Sequence, residues 1–235
     1  MMVSIVENST LLMTIGAANT NSYNVDLRQQ FQAVYPYIGG PANVEFTVLG
    51  NIGSTSTSAF SLTTGSGWPT GSKLKLILPG ISGGNSSNPA NGVIAGKGGQ
   101  GQIENPPCCD CYGCNNVPIG GPAIQLLTNL DIVNNGIIGS GGQGSIRIAM
   151  NRDRDHKYSS GGGAGINPGE VYQSNYGSPT PGTYLYGGYG SANAGNLGQS
   201  AVHAANPYSA SVIVTNGNNY TLTGAGQFLG TVRGS

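Results

Sequence analysis

Charge is scarce in this chain. Nine basic and nine acidic side chains cancel to a formal net charge of zero, and together they make up 8% of 235 residues, against roughly 25% in an ordinary soluble domain. Such a chain has no overall field to steer it to nucleic acid or to an anionic membrane surface, so neither is an expected partner. It also lacks any apolar run near the ~20 residues that cross a bilayer. The apolar stretch at residues 10–18 is preceded by Glu7 and by no Lys or Arg, so it is not expected to act as a signal peptide. Histidine is limited to two residues, tryptophan to one, and cysteine to a single short stretch.

Glycine is what the chain has instead, 41 residues of it. No strict Gly-X-Y period runs through them, which excludes a collagen helix, and they lie between β-type segments rather than in one flexible tail. Ordered glycine at this density implies backbones in close approach, because only a residue without a Cβ tolerates it. Those backbones must still pair their N–H and C=O groups with adjacent segments or neighbouring chains, so oligomerisation is expected.

Two stretches read as one unit used twice. Asn91-Gly92-Val93-Ile94-Ala95-Gly96 leads into Lys97-Gly98-Gly99-Gln100-Gly101, and Asn135-Gly136-Ile137-Ile138-Gly139-Ser140 leads into Gly141-Gly142-Gln143-Gly144. Each follows a β-rich run, Lys73 to Leu78 and Leu130 to Val133, turns at Asn-Gly and continues through β-branched residues. The unit carries no nucleophile, base or metal ligand. The fold class expected is all-β, a glycine-rich structure with solenoid-like repeated units, long Gly/Tyr/Ser loops and one short N-terminal helix. That helix is read over Asn24 to Tyr35, capped by Asn24, with Leu27, Phe31 and Val34 on one face and Pro36 as its stop. Residues 1–43 then form an N-terminal segment and 44–235 the β body, which ends in a hairpin around Asn216-Gly217.

Candidate site residues are few. Trp68, beside Pro69, has an indole face suited to stacking on sugar C–H groups, although a sole tryptophan is more simply a packing anchor. Cys108, Cys109, Cys111 and Cys114 lie within seven residues, and two pairs have the two-residue gap of a metal knuckle. A structural zinc site draws its pairs from separated loops, and three readings stay open: a metal held by cysteines pooled from several chains, local or inter-chain disulfides, and free thiols. No cofactor is expected apart from such a metal. No general base pairs with these thiols, so a catalytic cysteine is not expected. Asp153, Asp155 and His156 are interleaved with Arg152, Arg154 and Lys157, the pattern of a solvated charged loop, and His203 has no evident partner. From residue 159 to 198 tyrosines stand among glycines: Tyr172, Tyr176, Tyr184, Tyr186 and Tyr189. Tyrosine offers large amphipathic contact area at low side-chain entropy cost, which suits surface recognition; the alternative is that the rings fill space between thinly covered backbones.

The order of segments carries a resemblance. Leu27-Arg28 on a helix, a strand, a Ser/Thr run into Trp68-Pro69-Thr70-Gly71-Ser72, the first glycine unit, Gly120-Gly121-Pro122-Ala123-Ile124, the second unit and a closing Thr223-Gly224-Ala225-Gly226 follow one another. This order resembles the glycine-rich receptor-binding regions of tail fibre and tail-tip adhesins of tailed bacteriophages. The resemblance implies a virion protein of the tail, made in the host cytoplasm. It further implies a homotrimer bound to other phage tail proteins, with glycine/tyrosine loops touching a host cell-surface receptor and residues 1–43 attaching it to the tail. Two departures are the cysteine cluster and the break in the second glycine run at Ile146 to Met150. A purely structural tail or baseplate component is the alternative. A polysaccharide depolymerase is disfavoured because Glu45, Glu104 and Glu170 are isolated and Asp153 and Asp155 sit in a cationic loop.

Overall fold

A computed structural model describes residues 9–36, 39–104, 119–148, 159–160, 162–173, 179–188, 194–199, 201 and 210–234. The chain visits three sheets in turn, and does so five times. The first circuit is β1 (Thr10–Ile15), β2 (Asn21–Tyr23) and β3 (Val25–Asp26), followed by α1 (Leu27–Val34). The second is β4 (Asn43–Val48), β5 (Asn51–Gly53) and β6 (Leu62–Thr63). The third holds β7 (Lys73–Leu78), a hairpin of β8 (Ser82–Gly84) and β9 (Pro89–Asn91), then β10 (Val93–Ala95), β11 (Gln102–Glu104) and β12 (Ile124–Gln125). The fourth holds β13 (Leu130–Asn134), β14 (Ile137–Gly139), β15 (Ile146–Ile148), β16 (Ser159–Ser160), β17 (Tyr172–Gln173) and β18 (Ser211–Val214). The fifth is β19 (Tyr220–Thr223), β20 (Gln227–Leu229) and β21 (Thr231–Arg233).

Each face is a five-stranded parallel sheet with one strand from each circuit: β1-β4-β7-β13-β19, β2-β5-β10-β14-β20 and β3-β6-β12-β18-β21. Alternation within each strand decides what points inward. On the first face Phe46, Leu76 and Ile132 stack in register; on the second Ile52, Ile94 and Ile138; on the third Leu62, Ile124 and Ile213. All nine are fully buried and belong to one core. Outward positions stack too: Lys75 Nζ lies 2.9 Å from Glu45 Oε2, thirty residues back on the neighbouring strand. That pair is partly exposed and contributes no more than about 1 kcal/mol.

The two glycine units seen in the sequence are neighbours, with Val93, Ile94 and Ala95 of β10 opposite Ile137, Ile138 and Gly139 of β14. Between the first two circuits Asn21 stacks on Asn51, 30 positions on, and Val25 on Leu62, 37 positions on, whereas Asp131 and Thr221 of the last two circuits lie 90 apart. Long segments therefore leave the later circuits, and the repeat is hidden.

Three expectations need correction. The helix starts at Leu27, capped by the Asp26 carboxylate accepting from the Gln29 N–H at 3.0 Å. Asn24 has φ 51°, outside the helical region, and its side chain instead holds the loop of the second circuit through Thr55 Oγ1 and the Phe60 carbonyl. Val34 is exposed while Leu27 and Phe31 are buried, because one apolar turn suffices to meet the core. The closing segment is not a hairpin: Asn216 and Gly217 do adopt positive φ, but they turn a corner from β18 on the third face to β19 on the first.

Candidate functional site

Three segments leave the same corner, between a second-face strand and a third-face strand. They join β5 to β6, β10 to β12 and β14 to β18, and the last two are long. Their described parts fold back over the outside of the second face. There Val93, Ala95 and Ile137 form a second apolar cluster with Ala164, Ile166 and Leu197, flanked by Tyr184, Leu185 and Leu229.

Backbone hydrogen bonds hold these segments together in an unusual pattern. Gly141, Gly142 and Gln143 donate in succession to Gly121, Ala164 and Gln199, three different neighbours, at 2.8, 2.8 and 3.1 Å. Gly163, Ala164 and Gly165 do the same toward Gly99, Gly195 and Thr183. Donors that rotate through three directions in three residues are those of an extended helix with three residues per turn, which has no internal hydrogen bonds and leaves every backbone group for its neighbours. Neighbours this close leave no room for side chains. A methyl group at Gly96 would overlap the Gly121 carbonyl, one at Gly141 the Lys97 carbonyl and one at Gly163 the Gly142 carbonyl. None of the three has positive φ, so space rather than conformation dictates glycine.

The residues singled out in the sequence fall in different places. Tyr184 ties the glycine body to the rest: its hydroxyl accepts from Asn21 Nδ2 at 2.7 Å and its N–H donates to Asn88 Oδ1 at 2.8 Å. Tyr186 sits on a tight turn closed by Thr183 and leaves 48% of its surface exposed. Tyr172 lies in β17, paired with β16. Tyr176, Tyr189, Cys108, Cys109, Cys111, Cys114, Asp153, Asp155, His156 and His203 lie outside the described residues.

Trp68 is not with the tyrosines. It packs on the main core, 5.0 Å from the Phe31 ring and edge-on to Phe46 at 6.4 Å, with the Arg28 guanidinium 4.8 Å over its ring. Its indole N–H donates to the Thr64 carbonyl at 2.7 Å. Both the ring and its polar handle are engaged, as a packing anchor requires. Trp68→Ala is expected to lower stability by about 3 kcal/mol; cell binding by the folded fraction, measured by flow cytometry, should not change. Tyr184→Phe should cost about 1 kcal/mol through the lost hydrogen bond, read as a shift in thermal unfolding.

Sequence reasoning missed the buried asparagines. Asn51 donates to the Pro89 and Ala90 carbonyls and accepts from the Val93 N–H, and Asn134 bridges Gly136 and Gln227. They satisfy backbone groups where the chain turns a corner, and the 30-residue spacing from Asn21 to Asn51 was the available signal. Among the described residues no group of three or more His, Cys, Asp or Glu side chains converges, and no helix is long and apolar enough to cross a membrane.

The chain is thus a three-faced parallel β body with a close-packed glycine layer carried on one face. The family model for phage tail fibre adhesin Gp38 matches residues 10–234. The chain belongs to that family, and it is a tail fibre adhesin, a component of the virion tail. No curated protein matches the chain. Among solved structures, the gp37-gp38 adhesin tip complex of the bacteriophage S16 long tail fiber has a similar fold. The TM-score is 0.60 at 15% sequence identity, covering 94% of this chain and 82% of that one.

Proposed function

We propose that the five circuits act as a rigid solenoid mount, and that the glycine-rich body carried on the second face presents variable loops to a host cell-surface receptor. The observation that carries this is the rotating backbone bonding of residues 141–143 and 163–165. It fixes a platform without using side chains, so the segments between its glycine runs are free to vary in sequence. Binding needs no catalytic step, and an exposed tyrosine such as Tyr186 supplies contact area cheaply. The mount would be held on another tail fibre protein, as gp38 is in complex with gp37 at the adhesin tip of the bacteriophage S16 long tail fiber. Attachment to the tail through residues 1–43 stays a proposal; the described part of that segment supplies the first circuit of the mount, with β1 pairing β4.

The homotrimer expected from the resemblance is tested by light scattering; a monomer that still binds cells replaces it. For Cys108, Cys109, Cys111 and Cys114 the three readings of a shared metal, disulfides and free thiols stand side by side. Alkylation before and after reduction, together with metal analysis, separates disulfide, metal and free thiol.

The experiment for recognition is binding of the labelled, purified chain to a panel of bacterial strains. Saturable binding to a strain, reduced about tenfold by Tyr186→Ala, a loss of about 1.4 kcal/mol, supports the reading. Correctly folded protein that binds no strain would favour a purely structural tail component.

A further inference from the structure

We infer that Arg28, in the first turn of α1, is the centre of a binding site for a small carboxylate ligand. It stands where the third face turns into the first, the one corner that the second face and its glycine body do not share. The observation is an unanswered charge. Arg28 Nε and Nη1 are enclosed by protein, and no hydrogen-bond acceptor reaches either of them. Among the described residues no other charged side chain has buried polar atoms in this state. The ion pair found there joins Lys75 to Glu45 and leaves Arg28 out. A buried donor without a partner forfeits its hydration with nothing in return, and a charged one forfeits the most.

The surroundings show which ligand would answer it. The guanidinium Cζ lies 4.8 Å from the centre of the Trp68 ring and 5.5 Å from that of Phe31. Aromatic rings engage the faces of a guanidinium, whereas its N–H groups point outward in its own plane. The in-plane donors are therefore the ones left over. Asp26, two residues earlier, is already committed: it caps α1 by accepting from the Gln29 N–H at 3.0 Å, and it forms no ion pair with Arg28. An acceptor with two oxygens fits an edge of the guanidinium bidentately, which selects carboxylate or phosphate. The Asp26 charge decides between them, because a singly charged carboxylate is repelled less by a fixed negative neighbour than a doubly charged phosphate is.

Entry is by way of Gly65-Ser66-Gly67. A methyl group at Gly65 would run into the Asp26 carboxylate and Arg28 Cβ, so this segment lies directly against both residues. Ser66 and Gly67 are exposed, and nothing lies within 4 Å of a carbon added at Gly67. Gly65 and Gly67 have φ of 73° and 80°, a conformation that marks both as hinges on either side of one serine. Trp68 follows at once with its indole N–H on the Thr64 carbonyl, so the ring stays in place while the segment before it lifts. A carboxylate held there stabilises the mount by mass action and leaves recognition by the glycine body untouched.

The test is a titration of the purified full-length chain with sodium acetate, with sodium chloride as the control at equal ionic strength. In proton–nitrogen correlation spectra the Arg28 Nε–H signal, assigned by its absence from Arg28→Lys, should move saturably with acetate and stay put with chloride. The wild-type melting temperature should rise by about 3 °C or more at saturation, beyond any rise seen in Arg28→Met. Arg28→Lys, which keeps the charge and loses the fork, should need about tenfold more acetate for the same rise. Should Arg28→Met fail to fold, the wild-type Nε–H titration and Arg28→Lys decide the matter. An Nε–H signal that ignores acetate, or that moves equally with chloride, overturns the proposal. So does a melting response shared equally by wild type and Arg28→Lys. Inorganic phosphate that moves the signal at lower concentration than acetate overturns the assignment to a carboxylate.

Discussion

Gly141→Ala is expected to dismantle the glycine-rich body and abolish host binding, with a loss of local stability of about 3 kcal/mol or more. The added methyl would run into the Lys97 carbonyl and crowd the Gly121 nitrogen, both backbone atoms. A flexible side chain could swing aside, but here a whole segment would have to move. That segment is tied to others: Gly121 donates to the Lys97 carbonyl, and Gly141 donates to the Gly121 carbonyl. Displacing one therefore breaks bonds in two more. Gly40→Ala is the control, because nothing lies within 4 Å of the added carbon and no positive φ is needed. Thermal unfolding and cell binding of the two variants, measured side by side, check the contrast. Wild-type behaviour of Gly141→Ala would mean the glycine body does not pack as described.

The second large effect is expected in the mount. Leu76 is fully buried between Phe46 on one neighbouring strand and Ile132 on the other. Leu76→Ala removes a leucine from the middle of a stacked column, where the circuits above and below prevent collapse. The expected cost is about 2–5 kcal/mol, seen as a lower denaturant midpoint at unchanged slope. Leu222→Ala, in the same column at its open end, should cost no more than about 1.5 kcal/mol because much of that side chain is already in water. Equal losses at the two positions would show that the fifth circuit is covered in solution.

What the sequence made legible was one corner used twice in adjacent circuits. Asn91 to Gly96 and Asn135 to Ser140 align because β10 and β14 are adjacent strands in one register, so the same constraints of corner, inward isoleucine and glycine exit act on both. The β-type runs at Lys73 and Leu130 stood out for the same reason, lying side by side on the first face. The first and second circuits were harder to see. Their third-face strands shrink to Val25–Asp26 and Leu62–Thr63, two residues each, too short for any alternation to register. Asn216-Gly217 misled because two positive φ angles serve a corner between faces as well as a hairpin, and local sequence cannot tell which. Asn24 misled in a similar way: its side chain suits a helix cap, but a contact with Thr55, distant in sequence, claimed it.

The candidate site was legible in composition and not in geometry. Glycine density announced close backbones, yet the partners of Gly141, Gly142 and Gln143 lie at Gly121, Ala164 and Gln199, separations that no local pattern encodes. The tyrosines were grouped by sequence, and packing separates Tyr184, which locks the body to Asn21, from Tyr186, which faces solvent.

The central claim is that the glycine-rich body recognises the host. Competition with phage adsorption by the purified chain tests it most directly, with wild type, Gly40→Ala and Gly141→Ala compared on a susceptible strain. The account requires wild type and Gly40→Ala to block adsorption in a saturable manner and Gly141→Ala to fail at tenfold higher concentration. Equal blocking by all three proteins, once Gly141→Ala is shown to have lost its packed glycine body, would contradict it.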